Sequence, residues 1–271
     1  MIDRLHPADR AVGGTVPPRP GPRDLIRNSN PLLDAWFRPE TPGPGTLAAH
    51  VLLTGCGSVW TDRPVSPRAA LVHCGPQRVL RGDPRFLTPD VLLPLGHGQF
   101  SASDRFLPLF GRTFTQVFPW VRMVCTQQRR PVRRGLPPGV RVRRLGPADA
   151  VHLDTLGADL RWIAETWEST GALASAGAAW GAFADDRLVS LAVGYLHGLA
   201  HEDLAVATVP GHRRQGLALA CVRAACAAVR RSGRTPTWTV PRSNGPSRAL
   251  AAAAGFVPVG AEVVYWVGPA A

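Results

Sequence analysis

At 271 residues, 45% hydrophobic and 18% charged, the chain has room for two domains or one large one and enough apolar material for a core, which excludes disorder from end to end. No apolar run reaches the ~18–20 residues that a membrane-spanning helix needs, so a soluble protein is expected. All 31 basic residues are Arg, against 19 acidic residues, and the resulting charge of +12 favours an anionic partner (nucleic acid, a membrane surface or a phosphate-bearing cofactor) without choosing among them.

Residues 1–28 carry Pro17-Pro18-Arg19-Pro20-Gly21-Pro22 and little apolar periodicity, which predicts a flexible tail. Asn30-Pro31 marks a helix start, with Pro at the first helical position and Leu32, Leu33, Trp36 and Phe37 on one side. A second helix is predicted over Leu47–Leu53 and short strands over Ala69–His73 and Arg78–Arg81. A helical stretch over Phe100–Phe110 and a strand over Arg122–Thr126 follow. Residues 29–128 thus read as an N-terminal α+β domain.

Arg129 to Arg144 holds seven Arg among Pro and Gly breakers. A nucleic-acid patch and a solvated linker both fit the run. Without interleaved aromatics to stack bases, nucleic acid is disfavoured, and a linker over 129–139 running into a strand at Val140–Leu145 is the expectation.

Residues 140–271 are more regular. Helices are predicted over Pro147–Leu160 and Trp162–Leu173, then a strand-turn-strand unit from Ala179–Ala184 through Asp185-Asp186 to Leu188–Tyr195. A strand over Glu202–Val209 leads to a long amphipathic helix over Leu217–Arg231. A strand over Thr237–Val240, a helix over Pro246–Ala254 and closing strands over Phe256–Val259 and Val263–Val267 complete the order. No internal repeat is visible in the sequence.

Cysteines at 56, 74, 125, 221 and 226 are odd in number and form no CxxC pair, which predicts buried thiols rather than disulfides. His50, Cys56, His73 and Cys74 fit no common zinc spacing, so no metal is expected. Met1 to Pro7 has no apolar signal-peptide core, and a cytoplasmic protein with no membrane partner is expected.

The segment that carries chemistry is Val206-Ala-Thr-Val209-Pro-Gly-His-Arg213-Arg-Gln-Gly216-Leu-Ala218. It leaves a strand, turns, and enters a helix. Unpaired backbone N–H groups at that helix start, with the positive end of the dipole behind them, favour a phosphate or pyrophosphate. Gly216 lets the backbone approach such a ligand, Ala218 keeps the next turn from blocking it, and Arg213 and Arg214 add charge.

Arg213-x-x-Gly216-x-Ala218 resembles the (Gln/Arg)-x-x-Gly-x-(Gly/Ala) pyrophosphate loop of GNAT N-acetyltransferases. Val209-Pro210 ahead of it resembles the end of their fourth strand, and Asn244-x-x-Ser247-x-x-Leu250 followed by Gly255-Phe256 resembles their second motif. The likeness runs from about Val140 to Val267. A closer resemblance is to zwittermicin-resistance-type acetyltransferases, which share the acidic strand start, the Gly-Leu-Ala ending, a Trp at the position of Trp238 and an added N-terminal domain.

The resemblance implies an α+β GNAT fold, a mixed and splayed central sheet flanked by helices, with a smaller N-terminal α+β domain that is an added cover or a degenerate GNAT-like half. It implies acetyl-CoA, or another acyl-CoA, as donor and an amine of a small molecule or peptide as acceptor. Ala207, Thr208 and Val209 would meet pantetheine through their backbone; Arg213, Arg214, Gln215, Gly216, Leu217 and Ala218 would hold the pyrophosphate; Asn244 and Ser247 would touch the pantetheine arm. Glu202 stands where several GNAT enzymes carry a general-base glutamate, and Asp203 would point to the opposite face of the strand. Trp162 and Trp167 lie in the stretch that borders the acceptor, with Tyr195 and His197 on the preceding strand. The usual Tyr seven positions after Asn is replaced by Ala251, which leaves the general acid unassigned between Tyr195, His197 and water. The expected function is N-acetyl transfer in detoxification, self-resistance or natural-product tailoring; the alternative is a catalytically inactive GNAT-fold sensor or scaffold that binds acyl-CoA.

Overall fold

The computed structural model describes residues 36, 37 and 40–268. The tail predicted over 1–28 lies outside the described residues, as does the start of the Asn30-Pro31 helix, of which Trp36 and Phe37 are described and helical. The first half contains α1 (Leu47–Thr54), β1 (Ser58–Thr61), β2 (Ala69–Cys74), β3 (Gln77–Gly82), α2 (Pro89–Leu92), β4 (Gly98–Ser101), α3 (Leu107–Thr113) and β5 (Val117–Gln127). The second half opens with β6 (Arg141–Arg144), α4 (Ala150–Asp154), a 3-10 helix (Ala158–Trp167) and α5 (Thr170–Ala176). It continues with β7 (Ala179–Ala184), β8 (Arg187–His197), β9 (His201–Thr208), α6 (Leu217–Arg231), β10 (Thr235–Pro241), α7 (Gly245–Ala253) and β11 (Phe256–Val267).

These strands form one sheet in the order β1-β2-β3-β4-β11-β5-β10-β9-β8-β7-β6. Each half gives its last strand to the other: β5 sits against β10, and β11 sits against β4. β5 and β11 pair antiparallel from Phe256↔Gln127 to Val267↔Val117, so the boundary expected after residue 128 divides the chain but not the sheet. The pairing series antiparallel, antiparallel, parallel, antiparallel runs through β1-β2-β3-β4-β11 and again through β7-β8-β9-β10-β5. The two halves therefore repeat each other in topology.

Local chemistry explains most elements. α6 buries Leu217, Cys221, Val222, Ala225, Cys226 and Val229, the apolar stripe of an amphipathic helix, against one face of the sheet. Asp185 and Asp186 both take positive φ, 47° and 57°, the geometry of a tight hairpin turn between β7 and β8. All five cysteines are buried.

Some predicted elements differ. The helix expected over Pro147–Leu160 stops at Asp154, and that expected over Trp162–Leu173 is a 3-10 helix ending at Trp167. Glu168 then turns left-handed at φ 61°, and the Ser169 hydroxyl accepts the Ala172 N–H at 3.0 Å to start α5. Phe100 lies in β4 rather than a helix, and the two closing strands are one, bulged between Pro258 and Gly260.

Two sets of hydrogen bonds lock the halves together. The Glu40 carboxylate accepts the N–H groups of Leu199, Ala200 and His201 at 2.7, 3.2 and 2.8 Å, filling the β8–β9 turn. A Cβ at Gly198 would lie 2.4 Å from that carboxylate. On α1, His50 Nε2 donates to the Thr166 carbonyl at 2.7 Å while Nδ1 accepts the His197 N–H at 2.9 Å. That pairing fixes the neutral tautomer, and burial holds the His50 pKa below its usual value.

Candidate active site

β9 and β10 run side by side only through Thr235↔His201, Pro236↔Glu202 and Thr237↔Asp203. Beyond that pair β10 follows β5 and β9 follows β8, so the sheet forks. The fork opens a cleft of about 1330 Å³, edged by Leu204 to Thr208 on one side and Trp238 to Pro241 on the other.

One end of the cleft is an anion cradle. After β9 the chain makes one 3-10 turn, Pro210–His212, and then takes positive φ at Arg214 (61°) and Gly216 (84°). Among the described residues no backbone N–H from Arg214 to Leu219 has a hydrogen-bond partner; the first helical bond runs from Ala220 N–H to the Gly216 carbonyl at 3.1 Å. These free donors stand at the positive end of a fifteen-residue helix, a ready site for phosphate oxygens. Arg213 Nε donates to the Thr208 carbonyl at 3.2 Å and braces the turn. A Cβ at Gly216 would sit 3.1 Å from Arg134 Cδ, because Arg134 crosses over the loop. The run expected to be a linker thus supplies a guanidinium to the cleft wall.

The corresponding loop of the first half, after β3, is filled. There the Asp83 carboxylate accepts the Arg85 N–H at 3.0 Å and pairs with its guanidinium at 2.7 Å. That loop already carries its own anion.

At the fork itself, Asp203 turns its carboxylate to the cleft. Its Oδ1 accepts from Thr237 Oγ1 at 2.7 Å and from Thr239 Oγ1 at 3.1 Å, and burial raises its pKa against the lowering pull of those bonds and of Arg122. Beside it Arg122 pairs with Glu262 at 2.6 Å and donates to Gln99 at 2.6 Å.

The segment 118–265 matches the family model of the GNAT acetyltransferases. An uncharacterized N-acetyltransferase of the mutA 5′ region in Streptomyces virginiae is 46% identical over 199 residues, 73% of this chain and 84% of the relative. This chain belongs to the GNAT acetyltransferase family. Among solved structures, a GCN5-related N-acetyltransferase-like protein from Streptococcus suis superposes with a TM-score of 0.67 at 18% identity, over 91% of this chain and all of the other. A tandem GNAT protein from the clavulanic acid biosynthesis pathway gives 0.55 at 13% identity, over 92% and 94%. The fold is the GNAT fold, a mixed sheet flanked by helices, preceded by an N-terminal portion.

Within this GNAT fold the expected residues divide. Ala207, Thr208, Arg213, Arg214, Gly216, Leu217, Ala218, Asn244 and Ser247 line the cleft, as do Trp162 and Tyr195. Asn244 also caps α7, accepting the Ser247 N–H at 3.1 Å, and Ser247 Oγ accepts from Trp238 Nε1 at 3.1 Å. Val209 and Gln215 stand outside the lining; Val209 N–H binds the Val189 carbonyl, and the Gln215 amide turns back to the Gly211 carbonyl.

Three expectations are corrected. Glu202 and Asp203 do face opposite sides of β9, but Glu202 is the one turned away. Its Oε2 lies 2.9 Å from Arg234 Nη1 and 3.5 Å from His197 Nδ1, buried on the α6 side of the sheet. His197 follows it there, opposite Glu202 in the β8–β9 register, with its pKa pushed down to about 4 by burial, Arg234 and His50. Trp167 is buried with Nε1 donating to the Gly194 carbonyl at 2.9 Å, five residues beyond Trp162 and off its row of the 3-10 helix. Tyr195 reaches the cleft because the register slips between Gly194 and Leu196, which brings both Tyr195 and Leu196 to the lining. Burial raises its phenol pKa.

No group of three or more His, Cys, Asp or Glu among the described residues is placed to hold a metal ion, and no described helix is long and apolar enough to cross a membrane.

Proposed function

We propose that the protein transfers an acetyl group from acetyl-CoA to a primary amine of a small molecule or peptide. The observation that carries this reading is the fork between β9 and β10, which joins a cradle of unpaired N–H groups to a cleft with a buried carboxylate at its far end. From Thr208 back to Asp203 is five residues of extended strand, roughly 17 Å, a span suited to a pantetheine arm.

The pyrophosphate of the donor would rest on the N–H groups of Arg214 to Leu219, with Arg134 and Arg213 supplying charge. The open edge of β9 from Leu204 to Thr208 would receive the pantetheine amides as a further strand would, and a backbone N–H there would polarise the thioester carbonyl. Asn244 and Ser247 face the same arm.

An acceptor arrives as an ammonium and must lose a proton before it attacks. Asp203 takes that proton; its raised pKa makes it a better base than an exposed carboxylate. The neutral amine adds to the thioester carbon, and the tetrahedral intermediate breaks its C–S bond. The nitrogen then sheds its second proton, and the departing thiolate takes up one proton, so the balance closes without a Tyr at Ala251. Ala251 is buried in the core beside Phe256 and Trp238 rather than in the cleft, and no observation favours the sensor alternative. A tailoring role has fold likeness to a clavulanic acid pathway protein as its support, and self-resistance or detoxification rests on the sequence resemblance alone.

Release of free thiol from acetyl-CoA across a set of primary amines tests the reaction. Amine-dependent release that vanishes in Asp203→Asn is the expected result; acetyl-CoA binding with no release for any amine would refute it.

A further inference from the structure

Asp159, Trp162 and Glu165 are spaced i, i+3, i+6 within the ten-residue 3-10 helix Ala158–Trp167. A 3-10 helix has three residues per turn, so these side chains stack in one row, whereas an α-helix would fan them apart. All three line the cleft. Runs of this geometry longer than three or four residues are uncommon, and this one is held at its ends by Leu160 N–H to the Gly157 carbonyl at 2.8 Å and Glu168 N–H to the Glu165 carbonyl at 3.3 Å. It is also seated on the other half: a Cβ at Gly75, in the β2–β3 turn, would lie 2.9 Å from the Glu165 carbonyl oxygen.

The row reads acid, tryptophan, acid. Trp162 remains 39% exposed although it meets the Tyr195 ring edge-on at 6.0 Å, so its indole is an uncovered apolar wall rather than core. Trp120 and Trp266, from the exchanged strands β5 and β11, also line the cleft and meet edge-to-face at 6.2 Å. Charge is divided along the same cleft. Arg134, Arg213 and Arg214 gather at the cradle, while Asp203 stands at the fork and Glu165 beside the β2–β3 turn, near His97; Asp159 also lines the cleft. Arg122, the guanidinium among these walls, is matched by Glu262 and Gln99, and Arg81 behind it donates to the Leu80 and Ser101 carbonyls. A carboxylate or phosphate on the acceptor would find Arg122 and Arg81 already matched and would meet Asp159 and Glu165.

We infer that the acceptor is a primary amine on a flat apolar body, such as an arylalkylamine, with no carboxylate or phosphate of its own, and that Asp159, Trp162 and Glu165 select it. The inference rests on the transfer reading above. The ammonium is drawn by Glu165 and Asp159, and cation–π attraction to Trp162 favours the same charge. The ring lies against Trp162, and Trp120 and Trp266 extend the apolar lining. Partial desolvation raises the Glu165 pKa against the pull of His97, and an incoming ammonium would add to that pull.

The test pairs amines with their carboxylated counterparts: phenethylamine with phenylalanine and tryptamine with tryptophan, each assayed for thiol release from acetyl-CoA. The expected result is kcat/KM at least 100-fold higher for the amine of each pair. Glu165→Gln and Trp162→Ala should each raise the amine KM about tenfold or more while kcat falls by less than threefold, and Glu165→Asp should restore part of the loss. Equal or reversed preference within the pairs, unchanged KM in both variants, or donor binding with no turnover of any amine in the set would each overturn the inference. Acetyl-CoA calorimetry on the same samples keeps the readings apart, since failure of the donor to bind would strike the transfer reading instead.

Discussion

Thr237 Oγ1 donates to Asp203 Oδ1 at 2.7 Å, and these two residues are the last register pair before β9 and β10 separate. The bond ties the carboxylate to the point where the cleft begins, and Thr239 adds a second donor one turn of the pleat further on. Both hydroxyls favour the charged form while burial opposes it, and burial prevails.

Asp203→Asn should therefore lower kcat by roughly 100-fold or more, the usual contribution of a general base, with little change in acetyl-CoA affinity. Thr237→Val removes a bond that lowers the Asp203 pKa. The acid limb of its kcat/KM profile should move to higher pH, because the base must be ionised to act. A profile unmoved by either change would take Asp203 out of the reaction.

Much of this was legible in the sequence, and the failures have physical causes. α6 matched its prediction because an apolar stripe and a left-handed Gly216 mark its bounds locally. The alternation of β9 was also legible, but alternation alone does not say which face looks into a cleft; that depended on Arg234, thirty-two residues downstream from Glu202. The 3-10 helix spans the end of one predicted helix and the start of the next, since a short apolar pattern does not separate the two helical periods. The strand exchange between β5 and β11, and the topological repeat it completes, join residues too distant in sequence for local patterns to report.

Glu202 and Arg234 form a buried pair on the α6 side, with Glu202 3% and Arg234 16% exposed in their side chains. Arg234→Ala strands that carboxylate and should destabilise the fold by about 3–5 kcal/mol in urea unfolding. Glu202→Gln should cost less and leave the pH–rate profile unchanged. A profile that shifts in Glu202→Gln would restore Glu202 as the base.

Burial depresses the pKa values of His50 and His197, so their neutral forms belong to the folded state. Their contribution to stability is complete above the unfolded value of 6.5 and is lost as pH falls below it, down to the folded value of about 4 for His197. Glu202, Glu262, Asp203 and Glu165, all raised by desolvation, act in the opposite sense, so the histidine window is the range just below pH 6.5, read as the difference between wild type and a His50 variant. Unfolding free energy should fall across that window, and the slope should flatten in His50→Gln. An equal slope in wild type and variant would contradict the assignment.

Arg134 crosses Gly216 although it belongs to the Arg-rich connection between the halves. Arg134→Ala should weaken acetyl-CoA binding by about 1.5–3 kcal/mol, as loss of a charge-assisted contact does, and should make the affinity less sensitive to salt. Titrations at two ionic strengths read both effects. Unchanged affinity would return Arg134 to the role of connection.

The most direct test of the donor cradle is calorimetric titration of wild type and Gly216→Val with acetyl-CoA, with ATP as a control anion. Expected are saturable one-site binding in the micromolar range by wild type, weaker binding of ATP, and loss of acetyl-CoA binding in a variant whose near-ultraviolet circular dichroism is preserved. Wild type that fails to bind, or a folded variant that binds equally well, would contradict the assignment of the Arg214–Leu219 donors to the nucleotide.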